Sequence, residues 1–186
     1  MIREGIPFAA VSDGAGNAEQ AARRVLKLFA LWVREATLGE ILLPKTWATW
    51  VRQLDSALLG GAESTFLAVA VVGEQVVGAS AGDSQAYLLG AEGGLQFLTA
   101  SADKARLGSG TVKPFPIHAT LQPRDILLLM TDGAWTPLSS PYLLEKAVRG
   151  AALQHFSDVP GAVLDAASRT GRWDDMTVVA VRRVGR

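Results

Sequence analysis

Asp125-Ile126-Leu127-Leu128-Leu129-Met130-Thr131-Asp132-Gly133 is the stretch that decides the fold. Ile126 to Met130 is apolar at every position, so a strand here has no wet face and needs cover on both sides. Pro123, in Gln122-Pro123-Arg124-Asp125, presets a turn just ahead of it. Thr177-Val178-Val179-Ala180-Val181 has the same unbroken apolar character. Two such strands require two packed sheets, each with a layer behind it.

The rest of the chain supplies those layers. Upstream, Pro7 to Ser12 reads as a strand that ends in Asp13-Gly14. From Ala18 to Ala36, residues Ala22, Val25, Leu26, Phe29, Val33 and Ala36 recur at three- and four-residue spacing opposite Glu19, Arg23, Lys27 and Arg34, which predicts an amphipathic helix. Gly39 to Pro44 breaks it, and Thr46 to Leu59 is a second helix closed by Gly60-Gly61. Thr65–Val72, Val76–Ala81 and Gln85–Leu89 are short strands divided by turns, followed by Leu95–Thr99 and Ile117–Leu121, with a loop over Ala100–Phe115. Tyr142–Val148 and a segment opened by Asp158 and Pro160, running to about Ser168, read as helices ahead of a last strand, Met176–Arg182. The expected class is α+β: a four-layer α-β-β-α sandwich of two mostly antiparallel sheets with helices outside, forming one domain over residues 1–186.

Bulk composition narrows the function. The 186 residues carry 18 Lys plus Arg and 18 Asp plus Glu, so there is no basic surplus to attract nucleic acid or an acidic membrane. Cysteine is absent, which removes disulfides, thiolate metal sites and thiol nucleophiles together. No apolar stretch approaches the roughly 20 residues of a membrane span, and Met1-Ile2-Arg3-Glu4 lacks a secretory pattern. A cytoplasmic protein is the plain expectation.

The chemistry is carried by aspartates. Asp13-Gly14 and Asp132-Gly133 each end a strand, and Asp174-Asp175 opens another. Singly, each Asp-Gly is explained by turn formation, because Asp bonds nearby amides and Gly accepts positive φ. Jointly they place three carboxylates at strand ends that can converge on one sheet edge. At about 5 Å and an effective dielectric of about 20, each pair repels by roughly 3 kcal/mol. A hard divalent cation reverses that sign, and oxygen donors are those preferred by magnesium and manganese.

Four segments in order resemble the type 2C, metal-dependent protein serine/threonine phosphatases: Phe8-Ala9-Ala10-Val11-Ser12-Asp13-Gly14-Ala15-Gly16, Gly82-Asp83-Ser84-Gln85-Ala86-Tyr87, Asp125 to Gly133, and Asp174-Asp175-Met176-Thr177-Val178-Val179. The last has Asp175 where the family has Asn. The resemblance implies two Mn2+ or Mg2+ ions, with Asp13 bridging them, the Gly14 carbonyl on the second, and Asp132 and Asp174 on the first. Asp83 is then a possible ligand of a third metal, and Asp175 supports the site from behind. It also implies hydrolysis of phosphoserine and phosphothreonine in proteins by a metal-ionised water, without a phosphoenzyme. Such dephosphorylation belongs to signalling, with a phosphorylated substrate of a cognate kinase as the partner.

The chain also departs from the pattern. The family's first strand, with its phosphate-binding Arg and Asn-Glu-Asp, has no counterpart ahead of Asp13, so the domain is expected to lack the N-terminal strand or strands of the family. Arg3 and Glu4 are too close to Asp13 in sequence to replace it from a neighbouring strand. Ala15 stands where some relatives have a His general acid, and His118 and His155 read as structural. Arg106–Thr111 is short where many relatives carry a flap, as in the compact bacterial members. Trp32, Trp47 and Trp50 read as core, and Arg182 and Arg183 as solvated. The competing expectation is a catalytically impaired relative that binds phosphoproteins as a regulatory partner.

Overall fold

The computed structural model describes residues 2–3, 5–15, 18–100, 102–171 and 174–183. In chain order the elements are β1 (Ile2–Arg3), β2 (Ile6–Val11), α1 (Glu19–Glu35), α2 (Leu38–Ile41), α3 (Pro44–Leu58), β3 (Phe66–Val72), β4 (Gln75–Ala81), β5 (Gln85–Leu89), β6 (Leu95–Phe97), β7 (Phe115–Thr120), β8 (Ile126–Met130), α4 (Asp132–Trp135), α5 (Pro141–Ala152), α6 (Val159–Ser168) and β9 (Val178–Arg182). The strands form two antiparallel sheets, ordered β1-β2-β3-β4-β7 and β6-β5-β8-β9. The expected α-β-β-α sandwich is the observed one.

The unbroken apolar strands explain the layering. On β8, Leu127 and Leu129 enter the core between the sheets with Leu67, Val69, Val76 and Ile117. Ile126, Leu128 and Met130 face the other way, into a core shared with Leu144 and Val148 of α5 and Val163 and Ala167 of α6. Each of these side chains contributes about 2 kcal/mol of transfer free energy when removed from water. On the far side, Phe66, Ala68 and Ala70 meet Val25 and Phe29 of α1 and Trp47, Trp50 and Leu54 of α3. Trp47 and Trp50 are core residues as expected, and Trp32 stacks on Trp50 at 6.5 Å.

Three local expectations are corrected. The break at Gly39–Pro44 contains a short helix, α2, because Thr37 and Glu40 form a capping box that satisfies its first amides. β9 pairs with β8 as an edge strand, so its residues are half-buried although both faces carry core contacts. Arg3 does lie in a strand next to β2, opposite Ile6. That register puts its backbone at the end of β2 away from Asp13, about 20 Å off at strand rise. Glu4 lies outside the described residues.

Candidate active site

β2, β8 and β9 bring the predicted aspartates to one edge of the sandwich. β8 and β9 pair from Ile126↔Arg182 to Met130↔Val178. One step further, the Thr131 amide donates to the Thr177 carbonyl at 3.1 Å and the Thr177 amide to Thr131 Oγ1 at 2.9 Å. Asp132 and Asp174 therefore leave the sheet side by side. Gly133 completes the approach: a Cβ there would stand 2.4 Å from the Asp175 carbonyl oxygen and 3.1 Å from Asp174 Cβ.

Gly14 acts the same way, since a Cβ on it would lie 2.2 Å from the Ala18 carbonyl oxygen. Neither glycine is among those with positive φ. Close backbone approach, and not a left-handed turn, is what these two Asp-Gly pairs require.

The carboxyls act on one another as three crowded acids should. Asp132 and Asp174 stand close enough to Asp13 to disfavour its ionised form. Burial, the adjoining Asp132 carboxyl and the charge of Asp174 push Asp13 from 3.8 up to about 7, while Arg106 pulls against them. Asp132 Oδ1 also accepts from the Gly133 amide at 3.0 Å, and Asp174 Oδ1 from the Asp175 amide at 2.8 Å. Asp174 and Asp175 are exposed.

A serine and threonine seam anchors the site from below. Ser64 Oγ donates to the Asp13 carbonyl at 2.8 Å, the Asp13 amide donates to Thr65 Oγ1 at 2.9 Å, and Thr65 Oγ1 meets Ser84 Oγ at 2.8 Å. Ser64, Thr65 and Ser84 are buried. Beside it, Asp83 Oδ2 accepts from Arg106 Nη2 at 2.8 Å, and the Asp83 carbonyl accepts from Trp135 Nε1 at 2.9 Å. Asp83 Oδ1 is buried and has no hydrogen-bond partner among the described residues.

No three acidic or His side chains among the described residues stand in a ready-made metal-ligating group. The donor set still fits a hard dication: oxygen only and mutually repulsive, with Asp13 pushed up to about 7 by its neighbours. A cavity of about 1100 Å3 lies between α5 and α6 near Ala147, Gly150, Gly161 and Ala166 and is lined by none of these residues. His118, on β7, and His155 are exposed and take no part in the cluster. Arg106, Thr65 and Trp135 were not legible as site residues. Arg106 lies in a segment with no periodicity, one of three cations in a loop with Lys104 and Lys113 and with nothing in the sequence to single it out.

With this geometry in place, the comparisons identify the class. The family model described as Stage II sporulation protein E (SpoIIE) matches residues 6–184, and the chain belongs to that family. The catalytic domain of the serine/threonine protein phosphatase PstP, solved with two manganese ions, is 22% identical with a TM-score of 0.81, covering 100% of this chain and 94% of that one. The Mycobacterium tuberculosis serine/threonine phosphatase PstP/Ppp is 21% identical with a TM-score of 0.80, covering 100% and 95%. Stp1 from Staphylococcus aureus is 18% identical with a TM-score of 0.80, covering 96% and 84%. The fold is thus that of the bacterial serine/threonine phosphatases, as the four motifs implied. None of the curated proteins matches the chain by sequence.

Proposed function

We propose that this chain hydrolyses phosphoserine and phosphothreonine in proteins in a Mn2+- or Mg2+-dependent reaction without a phosphoenzyme. The observation that carries this reading is the meeting of Asp13, Asp132 and Asp174 at one sheet edge, with Asp13 raised to about 7 by its neighbours. Family membership and a fold shared with a manganese-containing phosphatase domain support it.

Asp132 and Asp174 are the side chains to hold a first ion, Asp13 to bridge, and the Gly14 carbonyl to contribute to a second, with Asp175 supporting Asp174 through the backbone. Bound metal supplies a water activated near neutral pH and positive charge against the phosphate. The residues' own part is to release the Asp13 proton, fix the donors and present an open edge to a protein substrate. The chain has no cysteine to act as a thiol nucleophile, and the hydroxyls of Ser64, Thr65 and Ser84 are buried in hydrogen bonds. Asp83 Oδ1, buried and unpartnered, is the oxygen available to a third ion. The partner in this reading is a phosphorylated protein from a cognate serine/threonine kinase, in the cytoplasm. No helix among the described residues is long and apolar enough to cross a membrane.

The test is phosphate release from p-nitrophenyl phosphate and from a phosphothreonine peptide, with and without Mn2+. Turnover is expected only with the metal, and Asp132→Ala should reduce it by at least about 100-fold. Phosphopeptide binding with no turnover in the unaltered protein would instead leave a phosphoprotein-binding regulator.

A further inference from the structure

The segment after β6 does more than close a loop. Gly14 bridges Ser64, and Ser64 bridges Leu107, both antiparallel. The Thr65 amide donates to the Asp13 carbonyl at 2.8 Å, and Ser64 and Leu107 exchange both backbone bonds, at 3.1 and 2.8 Å. In this register Asp13 lies opposite Thr65, and Thr65 opposite Arg106. Side chains directly across an antiparallel ladder share a face, so Asp13 and Arg106 emerge on the same side, two strand spacings of about 4.8 Å apart. An extended arginine covers most of that distance.

Further contacts fix the arginine, its carboxylate partner and the loop that carries it. Arg106 Nη2 donates to Asp83 Oδ2 at 2.8 Å, in a pair only 31% and 21% exposed at the side chains. Trp135, at the end of the helix that Asp132 opens, holds the Asp83 carbonyl at 2.9 Å. Buried Asp55 accepts from the amides of Gly108 at 2.7 Å and Gly110 at 3.2 Å, fixing the loop just beyond Arg106. Among the described residues, Arg106 is the cation that acts on the Asp13 carboxyl.

We propose that Arg106 is the substrate-binding arginine of this site, its guanidinium holding the phosphoryl oxygens over the aspartate cluster while Asp83 orients it. This rests on the phosphatase reading above and places an anion-binding charge on the loop before β7, beside the aspartate cluster. Arginine suits the role because its planar fork can keep one N–H on Asp83 and offer others to a phosphate. The ligand class is a phosphate monoester dianion, with inorganic phosphate as the product.

The experiment measures binding of inorganic phosphate by calorimetry in the presence of Mn2+, beside p-nitrophenyl phosphate kinetics, for the unaltered protein and for Arg106→Gln, Arg106→Lys and Arg106→Ala. Melting curves check that each variant is folded, and Arg106→Gln keeps a donor for Asp83 if Arg106→Ala is not. The expected result is a 10- to 100-fold weaker phosphate affinity in Arg106→Gln, on the order of a lost charged hydrogen bond. KM should rise in proportion, with a smaller fall in kcat, and Arg106→Lys should recover part of both. Unchanged phosphate affinity and KM in folded Arg106→Gln, with normal turnover, overturn this assignment and leave the phosphatase reading intact. Phosphate binding that depends on Arg106 in a protein without turnover keeps the assignment and removes the activity. Absence of both binding and turnover in the unaltered protein removes the two together.

Discussion

The two ends of β8 carry the same residue type in opposite circumstances. At its start, buried Asp125 accepts from the Ala91 amide at 2.9 Å and the Gln122 amide at 2.8 Å, so each carboxylate oxygen has a donor. Past its end, Asp132 faces Asp13 and Asp174, and their charges help push Asp13 up to about 7. A carboxylate that serves the fold is answered by backbone donors, whereas one that serves chemistry is set against its own kind and waits for a cation. Five residues of apolar strand separate the two conditions.

Removing the frustrated end is expected to have the largest effect, and on activity alone. Asp132→Asn should lower Mn2+-dependent turnover by at least about 100-fold while the metal-free protein melts no lower than before, because a repulsive charge has been taken away. A matching fall in melting temperature would mean that Asp132 is structural, like Asp125.

The satisfied end should respond in reverse. Asp125→Ala strands two part-buried backbone donors at a turn that also holds Arg124 at φ 72°, and should cost about 2 kcal/mol in urea unfolding with turnover per folded molecule unchanged. If stability barely moved, the contrast between the two ends would fail at its structural half.

The proton held at the frustrated end gives a pH signature. Asp13 is raised from 3.8 to about 7, so between those values the unfolded carboxyl is ionised and the folded one is not. The folded state then binds more protons, and stability falls as pH rises from about 4 to about 7, then levels off. Solvent at this half-exposed group screens the effect to on the order of 2 kcal/mol. Melting of the metal-free protein across that window, minus the same series for Asp13→Asn, isolates the contribution, and Mn2+ at pH 7.5 should restore what was lost. A difference curve that is flat or rises with pH would show that the three acids are not coupled.

The sandwich was legible because it depends on patterns that survive in one dimension. Unbroken runs such as Ile126–Met130 can only be strands dry on both faces, and the 3.6-residue spacing of Val25, Phe29 and Val33 can only face a core. The aspartates were legible because strand ends carry them to an edge. What did not show was anything set by register between distant segments. Arg106 reaches Asp13 only through the Gly14–Ser64–Leu107 bridges, and Gly133 admits Asp174 by lacking a Cβ, where the dipeptide alone suggested a turn. The short β1 was missed for a related reason, since two residues give no periodicity and exist as a strand only by pairing.

The smallest predicted effect concerns the contact that ties the frustrated end to its cation. Trp135 Nε1 donates to the Asp83 carbonyl at 2.9 Å, linking the short helix that begins at Asp132 to the residue that orients Arg106. Trp135→Phe keeps the aromatic body against the α5 and α6 core and removes that one donor, so about 1 kcal/mol of stability should be lost. If the contact only supports the fold, KM for p-nitrophenyl phosphate stays where it was. If it holds Asp83 in register for Arg106, KM should rise two- to fivefold with kcat nearly constant, and Arg106→Gln/Trp135→Phe should show no further rise over Arg106→Gln alone. Full additivity in that double variant would separate Trp135 from the phosphate-binding arm and confine its role to packing.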